Sequence, residues 1–272
     1  ARSGALAMTL AVPPFCLDHL SLVDLDALTV IDAAAHAGFA AVSLFVTPIP
    51  ISPTPDLVTD KAARKAVIAA LRDTGLKVGI VEPFMLDADP DWLLLERSVE
   101  LTAELGGTVN ILGVDEDHAR LRESLARTAD ICRRTQVPAI IEAYPLSAIR
   151  SPAQALGFAQ ALGPEVGLCI DTLHVIRSGG NWDDVAALPP ERIRHVQLND
   201  GPLEAPQDRV NEAVFDRQLP GQGKFGLGSL LPLLPEHALI AVEAPSRAHR
   251  GDQPHERAAL LMQSMQKLYA TA

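Results

Sequence analysis

Short apolar runs and longer segments of helical periodicity alternate along almost the whole chain. The first run spans 15–20 and precedes a helical pattern over 25–36. A second run at 40–46 opens into a proline-rich loop at 47–56, before a helix over 60–74. The run 77–82 is closed by Pro83, and its helix, 92–105, ends at Gly106-Gly107. A strand at 108–112 leads to a helix over 115–135, and a strand at 137–142 to a helix opened by Ser151-Pro152, a favourable cap and first-turn pair. Strand six is 166–171, with a helix at 182–188. Strand seven lies within Arg194-His195-Val196-Gln197-Leu198-Asn199-Asp200, strand eight is 238–243, and the terminal helix covers 255–269.

Eight strand–helix alternations in a chain of this length fit a (β/α)8 TIM barrel of the α/β class. The structural rival is a doubly wound open sheet, but no GxGxxG opens the first strand–helix turn, and no GxxxxGK[ST] loop occurs. There is no linker, low-complexity tract or helical-solenoid repeat, so 8–272 reads as a single domain. Residues 1–7, ahead of Met8, read as a cloning remnant, too short and weakly apolar for a signal peptide.

Composition narrows the function classes. The 272 residues are 48% hydrophobic and 4% aromatic, as in a soluble Ala/Leu/Val-rich α/β protein. A net charge of −11 argues against non-specific nucleic-acid binding, which needs basic surfaces. Cys16, Cys132 and Cys169 are odd in number and form no CxxC pair, which favours a reducing cytoplasm. No apolar run is long enough to span a membrane.

A barrel of this kind carries its site at the C-terminal ends of its strands. There strand five ends in Glu142, strand six in Asp171 with His174 three residues on, and strand eight in Glu243. Strand seven contributes Gln197, with His195 one layer deeper on the same face because strand side chains alternate. The intervals are each near one strand–helix unit, except that from Gln197 to Glu243, which implies a long loop at 201–225. Three carboxylates around a neutral amide favour a hard divalent ion, Mn2+ or Mg2+, with Co2+ or Zn2+ as alternatives. Bland readings stand beside this: Asp171 as a cap for the following turn, His195 as a supporting core histidine, Glu82 and His19 as structural or capping residues. Pro220 to Gly223 reads as a tight turn, Trp182 as a helix-start packing residue and Phe45 as a pocket wall.

The runs Ile141-Glu142-Ala143-Tyr144-Pro145, Ile170-Asp171-Thr172-Leu173-His174, His195-Val196-Gln197-Leu198-Asn199-Asp200 and Val242-Glu243-Ala244-Pro245 resemble the xylose-isomerase-like TIM barrel superfamily of sugar isomerases and epimerases. The resemblance implies that Glu142, Asp171, Gln197 and Glu243 are metal ligands. It implies that Glu142 and Glu243 are the catalytic acid–base pair, and that His174 and Arg217, with His195 nearby, bind substrate. Epimerases of the superfamily carry His where Gln197 stands, whereas its hydroxypyruvate isomerases and inosose dehydratases carry Gln. The expected activity is isomerisation or epimerisation of a small carbohydrate-like α-hydroxy ketone through an enediolate, with a homo-oligomer as the family habit. The alternative on the same site is a dehydratase of a keto-polyol. Endonuclease IV-like DNA repair and a non-catalytic subunit role are further rivals; the first would need more His ligands and a basic DNA-facing surface.

Overall fold

Eight parallel strands follow one another around a closed barrel: β1 (Phe15–Leu17), β2 (Ala41–Phe45), β3 (Lys77–Leu86), β4 (Thr108–Gly113), β5 (Ala139–Glu142), β6 (Val166–Asp171), β7 (Ile193–Leu198) and β8 (Leu239–Val242). Pairing of β1 with β8, Cys16 opposite Ala241, closes the ring. The coordinates, a computed structural model, describe residues 11–272. The expectation of a cloning remnant at 1–7 lies outside the described residues.

The helices are α1 (Ala27–Ala37), α2 (Lys61–Thr74), α3 (Trp92–Leu105), α4 (His118–Thr135), α5 (Pro152–Leu162), α6 (Thr172–Arg177), α7 (Trp182–Ala186), α8 (Arg209–Phe215), α9 (Leu227–Leu230) and α10 (Pro254–Thr271). Aspartates open most of the longer ones. Asp26, Asp60, Asp91 and Asp117 accept from first-turn backbone N–H groups of α1 to α4, and Ser151 does so for α5 with Pro152 in the first turn. Helix α3 stops at Gly106, whose φ of 70° is cheap only without a Cβ.

Strand parity divides the apolar residues into two sets. Leu17, Val42, Leu44, Ile141, Leu168, Val196 and Leu198 face outward and join the large core beneath the helices. The other parity faces the lumen. Its lower part is filled by Cys16, Ala41, Leu239 and Ala241, and by Ile80, Ile140 and Cys169. Its upper part holds buried polar residues: Asp18, Ser43, Glu82, Asn110, Glu142, Asp171, His195, Gln197 and Glu243. The fold thus delivers a polar ring to the C-terminal mouth on an apolar plug.

Five expectations need correction. The first strand ends at Leu17, not at 20, and His19–Leu22 form a 3-10 turn. Pro83 does not close the third strand: β3 runs on to Leu86, with a register shift against β4 between Val81 and Phe84, where a missing N–H interrupts least. A short helix, α6, starts directly from Asp171, and the 201–225 loop contains α8. The expected 182–188 helix is the five-residue α7. Among the described residues no helix is long and apolar enough to cross a membrane.

Candidate metal centre

Asp171 shows how local sequence builds the mouth. Its Oδ1 accepts from the N–H of Leu173 (2.7 Å) and of His174 (3.2 Å), capping α6. The same oxygen accepts from Asn199 Nδ2 at 3.0 Å. Three donors leave Oδ1 with no free lone pair, so only Oδ2 faces the mouth. Capping and site roles fall on different oxygens of one carboxylate. Burial works against its charge, but Arg217, His174 and Asn199 more than offset that and hold the carboxyl well below the usual range.

Helix α6 then brings His174 back over the mouth. Its Nε2 lies 3.4 Å from Glu142 Oε1 and 3.7 Å from Asp171 Oδ2. Glu142, Asp171 and His174 each offer a ligand atom, all within 4.8 Å of one another. The His174 ring leans on Tyr144 at 4.8 Å between centroids, which fixes its tilt.

Arg217 enters from the loop after β7. Its Nε donates to Ala213 O (2.7 Å), and its Nη1 donates to Asp171 Oδ2 and Glu243 Oε2, both at 2.7 Å. Glu243 Oε1 accepts from Gln197 Nε2 at 2.9 Å, and Gln197 Oε1 accepts from the Cys169 thiol at 3.1 Å. Burial, with surrounding carboxylates, pushes that thiol well above its ordinary value and keeps it a donor. Burial likewise pushes Glu243 well above the carboxylate range, with Arg217 opposing and Asp171, Glu82 and Asp18 adding to the rise.

All seven residues singled out from the sequence therefore sit in this region, and each is 6% exposed or less. They divide into two groups. Glu142, Asp171 and His174 present ligand atoms to one point, whereas Gln197 shows Glu243 its NH2 and turns its carbonyl to Cys169. His195 lies below, its Nε2 3.2 Å from Asp18 Oδ2, with Asp18 also accepting from Ser43. His195 thus braces the lumen beneath Gln197.

Sequence reasoning passed over Asp18, Ser43 and Asn110. Asn110 Nδ2 donates to Glu142 Oε2 and to Glu82 Oε2, and it ties β3, β4 and β5 together beside the mouth. A polar residue inside the apolar run of β4 was its signal. Glu82 Oε1 and Asn110 Oδ1 are buried without a protein partner. Burial, then the Asp18 and Glu142 charges, pushes Glu82 well above the carboxylate range.

The donor set fits a divalent cation. Asp18, Glu82, Glu142, Asp171 and Glu243 are all buried around the mouth, and Arg217 is the one guanidinium bonded to them among the described residues. Buried carboxylates in such excess are costly unless a cation or protons offset them. Carboxylate oxygens with one imidazole or amide suit Mn2+, Mg2+, Co2+ or Zn2+. A surface cleft lined by Lys61, Arg64, Arg97 and Glu104 gathers no comparable set.

The loop that carries Arg217 is pinned at its ends. Asp200 Oδ1 accepts from the N–H of Gly201 (2.9 Å) and Phe225 (3.0 Å), and Oδ2 accepts from Gly221 N–H (3.1 Å). Arg177 donates to Glu212 Oε2 (2.8 Å) and Pro202 O (2.7 Å), and Trp182 Nε1 donates to Phe225 O (2.8 Å). Gly223 packs so tightly that a Cβ there would overlap Asp200 Oδ1 and Gly201 N. Gly223→Ala is therefore expected to loosen 201–225, seen as faster amide hydrogen exchange in that segment alone. Unchanged exchange would remove Asp200 as the pin.

His19 sits at the other side of the mouth, stacked on Phe45 with centroids 4.6 Å apart. Its Nδ1 accepts from Phe45 N–H (3.2 Å), so Nε2 carries the proton and donates to Leu25 O (3.0 Å). A second ring proton would face that N–H. Burial lowers its pKa from 6.5 to about 4. The unfolded chain thus binds the proton first, and the neutral ring's contribution, complete above pH 6.5, is lost as pH falls towards about 4. Denaturant midpoints at both ends of that window should converge in His19→Gln relative to the parent; an unaltered difference would contradict a neutral, structural His19.

Comparison with known proteins adds a family signal. The sequence profile described as "Xylose isomerase-like TIM barrel" matches residues 31–269. A 3-dehydroshikimate dehydratase of Pseudomonas aeruginosa is 25% identical over 224 residues, 74% of this chain and 33% of that protein. The chain thus spans about a third of the length of that relative. Among solved structures, a xylose isomerase-like TIM barrel/4-hydroxyphenylpyruvate dioxygenase fusion protein superposes with a TM-score of 0.78 at 20% identity, covering 95% of this chain and 43% of that one. The IolI protein, solved with a bound zinc atom, gives a TM-score of 0.73 at 15% identity, with coverage of 95% and 98%.

Proposed function

This chain belongs to the xylose isomerase-like TIM barrel family, and from that premise we propose that its mouth is a divalent-cation site where a polyhydroxylated carbonyl compound loses the proton next to its carbonyl. The observation that carries this reading is the meeting of Glu142, Asp171 and His174, whose ligand atoms all lie within 4.8 Å of one another, with Glu243 joined to Asp171 through Arg217 and to Gln197 by a hydrogen bond. Glu142, Asp171 and Glu243 would hold the ion with Gln197 or His174, and it would supply Lewis-acid polarisation of the carbonyl and stabilisation of the enolate.

The side chains supply the rest. Glu142 is steadied through Oε2 by Asn110, leaving Oε1 on the His174 side to take or return a proton. Glu243 is steadied by Gln197 and Arg217 three strands further round the ring. The two glutamates thus reach a bound substrate from different directions. Arg217, and His174 where Gln197 completes the ion's ligand set in its place, would present N–H donors to substrate oxygens and to the charge that develops on them. Burial of all of these excludes water from the enolate.

We favour elimination as the outcome: a C–H and a β C–O bond break, a C=C bond forms, and water leaves. The similarity to a 3-dehydroshikimate dehydratase over 74% of the chain supports it, as does Gln197 where epimerases of the superfamily carry His. A hydroxylated cyclohexenone carboxylic acid is the substrate class, since losing water makes it aromatic. The second reading is isomerisation or epimerisation of a ketose, favoured by the placement of Glu142 and Glu243 on separate strands.

Incubation with Mn2+ in D2O, with 3-dehydroshikimate in one arm and ketoses in another, separates them by mass. Loss of one water from the hydroxy-keto acid supports elimination. Deuterium uptake by a ketose without loss of water supports the second reading. Neither change in either arm would sink proton abstraction at this mouth.

A further inference from the structure

Arg217 holds the two oxygens that an entering ion would need. Asp171 Oδ1 is saturated by Leu173, His174 and Asn199, which leaves Oδ2 as the ligand atom of that carboxylate. Glu243 Oε1 is engaged by Gln197, which leaves Oε2. Both remaining oxygens accept from one nitrogen, Arg217 Nη1, at 2.7 Å each. The guanidinium is held there at its other end by Ala213 O, at 2.7 Å from Nε. An ion held by these two carboxylates would need the lone pairs that Arg217 Nη1 now occupies, so the two cations would compete for them.

We propose that Arg217 is a resident counter-cation that competes with the divalent ion for Asp171 and Glu243 and so weakens ion binding. The inference rests on the reading of the mouth as a cation site and adds a specific antagonist within it. Three further features agree. The two carboxylates that Arg217 bridges come from β6 and β8, so the guanidinium also ties that part of the ring together. Gln197 can turn its carbonyl towards the ion only once Glu243 has another cation partner, because its NH2 now serves Glu243. The backbone under Arg217 is fixed, its own N–H donating to Pro245 O (2.8 Å) and Gln218 pairing both ways with Asp200 (2.9 Å each), so the guanidinium would leave the two carboxylates by side-chain rotation, without the loop moving. Ion entry would then release Arg217 to meet a substrate oxygen.

The test is Mn2+ titration of the purified protein, followed by the electron-paramagnetic signal of free Mn2+, for the parent, Arg217→Met and Arg217→Lys. Arg217→Met is expected to bind one Mn2+ per chain at least about tenfold more tightly, because a competing charge is gone. Arg217→Lys keeps a positive charge but loses the Ala213 anchor, and its affinity should fall between the two. Melting curves read the same competition: Mn2+ should raise the midpoint more in the variants than in the parent. If Arg217→Met does not fold, the Lys variant decides. Affinity equal to or weaker than the parent's in the variants that fold would overturn the competition while leaving the cation site standing. No stoichiometric Mn2+ in any of the three would remove both.

Discussion

Glu243→Gln is expected to lower kcat by about 10²–10⁴-fold, the usual range for removing a positioned acid–base group. The substitution keeps the side chain's shape, and Arg217 retains its bond to Asp171 Oδ2. The amide cannot carry the proton, however, and its NH2 must face one of two donors, Gln197 Nε2 or Arg217 Nη1. Proton transfer at this position therefore stops while the barrel around it stays closed. The check pairs kcat, measured on whichever substrate is turned over, with a melting curve. A variant that keeps more than about a tenth of the parent's kcat would remove Glu243 from the acid–base pair.

Asp171→Ala is the largest stability change expected at the mouth. It deletes the cap of α6, typically worth about 0.5–2 kcal/mol, and strips a buried guanidinium of one of its two carboxylates. Breaking a buried ion pair costs about 3–5 kcal/mol. Because the native carboxyl is held below its ordinary range, its contribution is present above the unfolded pKa and lost only as pH falls through the lower native value. The variant should thus be less stable than the parent by about 3 kcal/mol or more at neutral pH, with the gap closing in strong acid. Urea unfolding at both pH values measures it. A neutral-pH gap under about 1 kcal/mol would mean that the Arg217 contact is no more than a surface-like pair.

Much of this centre was legible because strand parity is strict. A polar set on one face of 194–200 could only point into the lumen, which separated Gln197 at the rim from His195 beneath it. The ends of β5, β6 and β8 followed from the apolar runs before Glu142, Asp171 and Glu243. What escaped depended on shorter or longer-range features. Reading the first strand through 20 hid Asp18, the residue that follows β1 and turns into the lumen, where it supports His195. Helix α6 has six residues, too few to show a period, so the turn that sets His174 against Glu142 and Asp171 was not visible. The position of Arg217 depends on Asp200, Gly223 and Arg177 folding the 201–225 segment back over the ring, a tertiary matter with no local signature. Nor does a sequence tell which way Gln197 turns its amide.

Glu142, Asp171 and Glu243 are proposed to gather a divalent ion at the barrel mouth. Anomalous diffraction at the manganese edge, from crystals grown with Mn2+, tests it most directly. One strong peak per chain within about 2.0–2.4 Å of carboxylate oxygens from Asp171 and Glu243, with Arg217 Nη1 moved off them, is the result expected. No peak at the mouth, with Arg217 still bridging Asp171 Oδ2 and Glu243 Oε2, would contradict it.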